Sequence, residues 1–114
     1  MNLRRTLELL YGFDGIDILI VEQDKSSKIS NLNLSCKHIF VKNDGAYNRS
    51  WAFNVGVMNS KTPFVIFGDS DLIMNYSEFI ESLKQIEQYD CVSPYKSVVD
   101  LTIDESNKSY VDIL

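Results

Sequence analysis

The sequence predicts an α/β fold: one domain over residues 1–114, with a mainly parallel sheet flanked by helices. Short apolar runs alternate along the chain with segments whose apolar residues recur at helical spacing. This alternation favours parallel strands joined by crossover helices, which cover both faces of a sheet. Apolar residues make up 45% of the 114 residues, which is enough for one modest core.

The first half of the chain shows clear signals for helices, strands and turns. Leu3, Leu7 and Leu10 follow helical spacing, and glycines follow them. The run DILIVE is typical of a strand covered on both faces, and Asn43-Asp44-Gly45 is a strong turn signal. The predicted elements are a helix over 3–11, a strand over 17–22, a polar loop over 23–35, a strand over 38–41 and a helix over 50–58.

The second half is predicted to continue the same alternation. Thr62-Pro63 ends the preceding helix, and Ser77 begins an amphipathic helix with Glu78 in its first turn. The apolar positions of that helix are Phe79, Ile80, Leu83 and Ile86. The remaining predictions are a third strand over 64–67, a fourth over 90–93, an extended segment over 95–102 and a final apolar run over 110–114.

Composition and charge exclude several classes of protein. The net charge is −5 and the basic residues form no dense stripe, which argues against a nucleic-acid partner. Cys36 and Cys91 fit no metal or redox spacing, so both are predicted to be reduced thiols in the core. The opening MNLRRTLELL carries charge at once, which predicts neither a signal peptide nor a membrane span and makes the cytoplasm the expected location.

The stretch VIFGDSDLIM places two carboxylates, Asp69 and Asp71, directly after an apolar run. Residues two apart in an extended chain project to the same side, so the two anions would lie close together unless the chain bends. Two close anions are costly unless a cation lies between them, which makes a divalent metal the first functional hypothesis. The alternative is that the aspartates only cap the turn after a strand.

Three polar groups follow the ends of the predicted strands: Glu22 with Asp24, Tyr47-Asn48-Arg49, and Asp69-Ser70-Asp71. Ligands of open parallel sheets bind beyond the carboxyl ends of the strands. Acidic groups for metal and ribose, an aromatic ring for a base and an arginine for phosphate would suit a nucleoside diphosphate. The alternatives without a ligand are that Arg49 is a solvated residue at the start of a helix and that Tyr47 packs against the protein.

The segment from Tyr47 to Met74 resembles the nucleotide-binding half of GT-A-type, Rossmann-like glycosyltransferases. Its motifs are most similar to those of the β-1,4-galactosyltransferase family, with a broader likeness to glycosyltransferase family 2. The matching stretches are Tyr47-Asn48-Arg49, Asn54-Val55-Gly56 and Asp69-Ser70-Asp71-Leu72, in the family's order and at similar spacing. Ile20-Val21-Glu22-Gln23 resembles a strand end of that family, and Asn2, Arg4 and Arg5 resemble its arginine-rich nucleotide loop.

The resemblance implies a metal-dependent transfer of a hexosyl group from UDP-galactose or UDP-N-acetylgalactosamine to an unknown acceptor, such as a glycan. Tyr47 would pack on the uracil, Arg49 would bind the nucleotide and Asp69 would contact ribose or sugar. Asp71, with Asp69, would ligate Mn²⁺ or Mg²⁺ at the diphosphate. The predicted substrate-binding set is Glu22, Asp24, Tyr47, Arg49, Asn54, Asp69 and Ser70.

The chain also departs from the family pattern. It shows no strand before the arginine-containing segment and no later acidic base or metal-binding histidine, so the sequence predicts a truncated domain. One alternative is therefore a catalytically incomplete module that binds nucleotide, or that self-associates through an exposed sheet edge. A second is a haloacid-dehalogenase-type phosphatase, disfavoured because Leu72 and Ile73 replace the residues expected after its second aspartate.

Overall fold

A computed structural model describes residues 2–108 and shows a small α/β protein with a two-stranded parallel sheet and helices. This agrees with the predicted fold class. The elements in chain order are α1 (Asn2–Leu10), β1 (Leu19–Asp24), β2 (Lys37–Lys42), α2 (Arg49–Asn59), α3 (Tyr76–Leu83), a 3₁₀ turn (Ile86–Gln88) and α4 (Ile103–Ser106).

The chain packs as two units, which we describe separately. The sheet unit comprises Leu10–Asp69 and contains β1, β2 and α2. The helical unit comprises Met1–Leu9 and Ser70–Leu114, as far as the structure describes them, and contains α1, α3 and α4.

In the sheet unit, β1 and β2 pair in parallel with Ile20 opposite His38 and Glu22 opposite Phe40. The Asn43 amide donates to the Asp24 carbonyl at 3.0 Å, which continues the pairing just past β2. All six residues of β1 are half-buried, as expected for a strand covered by other elements. The strand begins and ends two residues later than predicted. Because it ends at Asp24, both Glu22 and Asp24 lie within β1 rather than after it.

Helix α2 packs against β1 and matches its predicted position closely. The Asn48 side chain caps its first turn by accepting from the Trp51 amide at 2.9 Å, which satisfies one of the free N–H groups there. Ala52 is buried, and a Cβ added at Gly56 would lie 3.7 Å from Val21 Cγ2. The space between α2 and β1 at Gly56 would therefore admit an alanine side chain in ordinary van der Waals contact with Val21.

The third and fourth strands, predicted over 64–67 and 90–93, are not formed, and residues 95–102 pair with no strand. Phe64, Val65, Ile66 and Phe67 are between 41% and 51% exposed. The Phe67 ring packs instead on Phe53, with ring centroids 4.7 Å apart. A strand requires a neighbouring strand as well as a suitable composition, and within residues 2–108 the only ladder joins β1 to β2. The apolar run over 110–114 lies outside the described residues.

In the helical unit, Leu7 and Phe79 are the most deeply buried apolar side chains, at 3% and 2% exposure. The Arg5 guanidinium donates to the Ser106 carbonyl, which joins α1 to α4. Arg5 therefore makes a structural contact within this unit.

Helices α3 and α4 are both capped by polar side chains. The Asn75 carboxamide accepts from the Ser77 amide at 3.0 Å, so α3 begins one residue before the predicted Ser77. Helix α4 was not predicted: Thr102 and Glu105 form a reciprocal capping box at its start. The sequence Thr102-Ile103-Asp104-Glu105 carries the signature of that motif, which could have revealed the helix.

Neither cysteine forms a disulfide with a described residue. Cys36 is half-buried, but Cys91 is exposed, so the prediction of two core thiols is wrong for Cys91. The error follows from the missing fourth strand, because Cys91 lies in the segment that was expected to enter the sheet.

Candidate functional site

An open cleft of about 190 Å³ lies beside the carboxyl ends of β1 and β2 in the sheet unit. Two predicted site residues, Asp24 and Tyr47, contribute to its walls. The carboxyl edge of parallel strands is where open α/β sheets bind ligands, so the position agrees with the expected one. The lining residues are Gln23, Asp24, Lys25, Asn43, Gly45 and Tyr47.

The loop that forms one wall of the cleft is held by side-chain hydrogen bonds. Asn43 Oδ1 accepts from the Gly45 amide at 2.9 Å, and Asn43 Nδ2 donates to the Ala46 carbonyl at 2.8 Å. Asparagine is favoured in turns because its side chain bonds to backbone a few residues ahead. Tyr47 follows this turn and is 61% exposed, so its ring is accessible to a ligand.

Asp24 ends β1 at the cleft and remains anionic near neutral pH. The side-chain hydrogen bond with Lys28 and the amide of Lys25, at 2.7 Å, hold the pKa of Asp24 below its ordinary value. The same contact raises the pKa of Lys28. A carboxylate of this kind can accept hydrogen bonds from hydroxyl groups such as those of ribose.

Glu22 has a different environment from Asp24. Its carboxylate accepts from the Ser27 hydroxyl and the Lys28 amide, both at 2.6 Å, and lies 3.0 Å from His38 Nε2. Burial raises the pKa of Glu22, but these hydrogen bonds together lower it by more. The pKa of Glu22 therefore lies below its ordinary value. Only 11% of the side chain is exposed. Glu22 therefore ties the loop after β1 to the sheet, which leaves little of its carboxylate free for a ligand.

The Glu22 contacts also supply His38 with the partner that the sequence did not reveal. Because Ser27 and His38 both contact Glu22 Oε2, the carboxylate lies between the hydroxyl and the imidazole. A nucleophilic triad instead needs the hydroxyl bonded to the imidazole and the imidazole bonded to the carboxylate. This cluster therefore does not form such a triad.

Arg49 and Asp69, two further predicted site residues, form an ion pair in the sheet unit. Arg49 Nη2 lies 2.8 Å from Asp69 Oδ2, and the guanidinium carbon lies 5.2 Å from the centroid of the Phe53 ring. Both side chains are more than half exposed. Exposed pairs of this kind contribute only about 0–1 kcal/mol, so an incoming anion can replace the carboxylate at low cost.

Three motif positions in the sheet unit differ in what surrounds them. Asn48 caps α2, and Gly56 lies close to β1, so both have a structural explanation. Asn54 is exposed on α2 and does not line the cleft.

Ser70 and Asp71 belong to the helical unit. The Ser70 carbonyl accepts from Thr6 Oγ1 at 2.9 Å, so its backbone is engaged within that unit. Asp71 lines a cavity of about 30 Å³ with Arg5, Ile73, Leu101 and Ser106. That volume suits a water molecule and is too small for a nucleotide.

Within residues 2–108, no three carboxylate, cysteine or histidine side chains lie close enough together to hold a metal ion. Magnesium bound with a nucleotide commonly takes only one or two protein carboxylates, the rest of its ligands being phosphates and water. A metal that arrives with a nucleotide therefore does not require a cluster of three protein ligands.

Comparisons of this chain with protein-family models, with curated proteins and with solved structures find no match. Of the helices in the described part of the chain, none has the length and apolar character needed to cross a membrane.

Proposed function

We propose that this chain is the nucleotide-sugar-binding region of a metal-dependent glycosyltransferase with a GT-A-like fold. The observation that carries the proposal is the cleft beside β1 and β2, where Asp24 and Tyr47 line one cavity. These two residues belong to different groups of the substrate-binding set that the sequence predicts. The donor would be UDP-galactose, UDP-N-acetylgalactosamine or a near relative, and the acceptor a glycan or another hydroxyl compound.

Binding would use the residues of the sheet unit in distinct ways. The exposed Tyr47 ring offers a face on which uracil can stack, and Asp24 offers an acceptor for ribose hydroxyls. Arg49 would exchange Asp69 for the diphosphate, since an exposed ion pair is weak and arginine matches phosphate geometry well. Asp69 would then be free to accept from ribose or sugar.

On the strength of the sequence motif Asp69-Ser70-Asp71 alone, Asp69 and Asp71 would ligate Mn²⁺ or Mg²⁺ at the diphosphate. The bound metal would neutralise the charge that develops on the leaving diphosphate.

Isothermal titration of UDP into the purified chain, with Mn²⁺ and then with excess chelator, tests this proposal. We expect binding that requires the metal. Asp71→Ala should abolish the metal-dependent binding of UDP and leave the fold intact, and Asp14→Ala, another exposed aspartate, is the control. Arg49→Ala should make the free energy of UDP binding less favourable by about 1.5 to 3 kcal/mol, the usual contribution of a charge-assisted hydrogen bond. Lys61→Ala is the control for this substitution. A folded wild-type chain that does not bind UDP would refute the proposal.

A second candidate function is self-association with another copy of this chain. Val65, Ile66 and Phe67 are exposed, and their backbone N–H groups make no hydrogen bond to another described residue. Pairing two such segments would bury roughly a few hundred Å² per copy, less than the about 800 Å² per partner of a standard interface. Association would therefore be weak. The mass of the chain, measured across a wide concentration range beside the UDP titration, should then rise with concentration; a constant monomer mass rejects this candidate.

A further inference from the structure

Gln23 lines the cleft beside Asp24 and Tyr47, and its side chain makes three hydrogen bonds to residues 43–48. Its Oε1 accepts from the Asn48 amide at 2.6 Å and from Asn43 Nδ2 at 2.9 Å. Its Nε2 donates to the Asn48 carbonyl at 3.3 Å. The Gln23 side chain therefore bonds to both the backbone N–H and the backbone C=O of Asn48, and to the side chain of Asn43 that folds the turn.

These bonds connect the end of β1 to the loop that carries Tyr47. Asn43 begins that loop and Asn48 ends it, so Gln23 holds the loop at both ends. Tyr47 immediately precedes the Asn48 amide that donates to Gln23. The position of the Tyr47 backbone thus depends on a carboxamide that itself belongs to β1.

We propose that Gln23 is a positioning residue that holds Tyr47 in place to stack on a nucleobase. This inference rests on the proposed nucleotide-binding function. Without the Gln23 contacts, the loop would have to be ordered when the nucleotide binds, and the cost of that ordering would be subtracted from the affinity. Gln23 would act on binding through the loop, without contacting the base itself.

The test uses the complete chain and two substitutions of different chemistry. Gln23→Met retains the length of the side chain but removes every hydrogen bond, and Gln88→Met makes the same change at an exposed position in the helical unit. With UDP and Mn²⁺ as the probe in an NMR titration, we expect Kd to rise about tenfold for Gln23→Met, because part of the binding free energy would then be used to order the loop. Gln88→Met should leave Kd unchanged.

A rescue experiment separates positioning from general stabilisation. Gln23→Glu retains the acceptor for Asn48 and Asn43, and uridine is used as the probe because it carries no charge that the new carboxylate would repel. Gln23→Glu loses the donor to the Asn48 carbonyl, so we expect it to bind uridine more weakly than wild type but more tightly than Gln23→Met, which loses all three bonds. Exchange of the Asn48 amide proton should accelerate in Gln23→Met and remain slow in Gln23→Glu.

The outcomes distinguish this inference from the function on which it rests. Absence of UDP binding by the folded wild-type chain removes the proposed function, and the inference with it. Wild-type binding with an unchanged Kd in Gln23→Met overturns the inference alone. If Gln23→Met does not fold, Gln23→Asn replaces it: its amide is one methylene too short to reach the loop, so it should also weaken UDP binding, and an unchanged Kd would again overturn the inference.

Discussion

Replacing Gly56 by alanine should stabilise the sheet unit, although Gly56 lies where α2 approaches β1. An added Cβ would lie 3.7 Å from Val21 Cγ2, which is an ordinary van der Waals contact and not a clash. Glycine inside a helix is about 1 kcal/mol less favourable than alanine because it loses more backbone freedom on folding. The structure provides nothing to offset that gain, so the free energy of unfolding should rise by about 0.5 to 1 kcal/mol.

Urea unfolding measures this effect, with the fluorescence of Trp51 as the signal. Trp51 is the chain's single tryptophan and lies in the first turn of α2, so its emission follows the sheet unit. For a small domain a gain of 1 kcal/mol corresponds to a rise in Tm of roughly 4–8 °C. The urea midpoint should rise, whereas the slope of the free energy of unfolding against urea concentration should not change.

Gly15→Ala is the matched control, because the same chemical change should have the opposite sign there. Gly15 has φ of 78°, in the left-handed region, and a Cβ there would meet no atom within 4 Å. The cost is therefore purely conformational, about 1–2 kcal/mol. Destabilisation by Gly56→Ala would refute the reasoning, because it would show that the added Cβ approaches Val21 more closely than 3.7 Å. Stabilisation by Gly15→Ala would likewise contradict the assigned backbone conformation.

Two further predictions concern the contacts around the cleft. The pKa of Glu22 in the folded chain lies below its ordinary value of 4.5, which we take for the unfolded chain. The stabilisation that Glu22 provides should therefore be complete above about pH 4.5 and be lost as the pH falls through the lower pKa of the folded chain. Glu22→Gln should accordingly show a smaller loss of stability on acidification, measured by urea midpoints across that range, and an unchanged acid dependence would contradict the assigned contacts. Asn48→Ala should lower the free energy of unfolding by about 1 kcal/mol through loss of the α2 cap, whereas Asn48→Asp should retain most of it; equal effects in the two variants would exclude capping as the cause.

The sequence predicted elements well where the signal was local. Helix α2 follows an asparagine cap and ends before Thr62-Pro63, and β2 ends at the Asn43-Asp44-Gly45 turn. Such boundaries depend on residues within one turn of the chain, so they can be derived without knowledge of the fold. Helix α4 shows the same point, because its capping box was present in the sequence and was overlooked.

Strand formation could not be derived in the same way. Residues 64–67 have the composition of a buried strand, yet their backbone joins no ladder and the Phe67 ring packs on Phe53. Whether an apolar run becomes a strand depends on a partner that is distant in sequence, and composition does not identify that partner. The prediction that Cys91 is buried was wrong because it depended on a strand prediction of this kind.

For the candidate site, the sequence predicted which polar residues follow the strands, but not what their side chains contact. Asp24 and Tyr47 line the cleft, and Arg49 reaches Asp69, but Glu22 is engaged by Ser27, Lys28 and His38. Gln23 was overlooked because a lone glutamine at a strand end carries no charge or spacing signal. Its role depends on three hydrogen bonds to residues 20 and more positions away, which only the folded chain displays.

The exposed run over 64–67 also affects how the chain behaves when it is concentrated. The run contains four consecutive apolar residues of high β-propensity without a charge, and an exposed uncharged stretch of about six such residues can stack into amyloid-like sheets. The run is flanked by Lys61 and Pro63 on one side and by Asp69 and Asp71 on the other. In an in-register stack each aspartate would lie beside its own copy, and such like-charge contacts are destabilising. The paired aspartates thus act as gatekeepers against fibril growth, independently of any ligand that they bind.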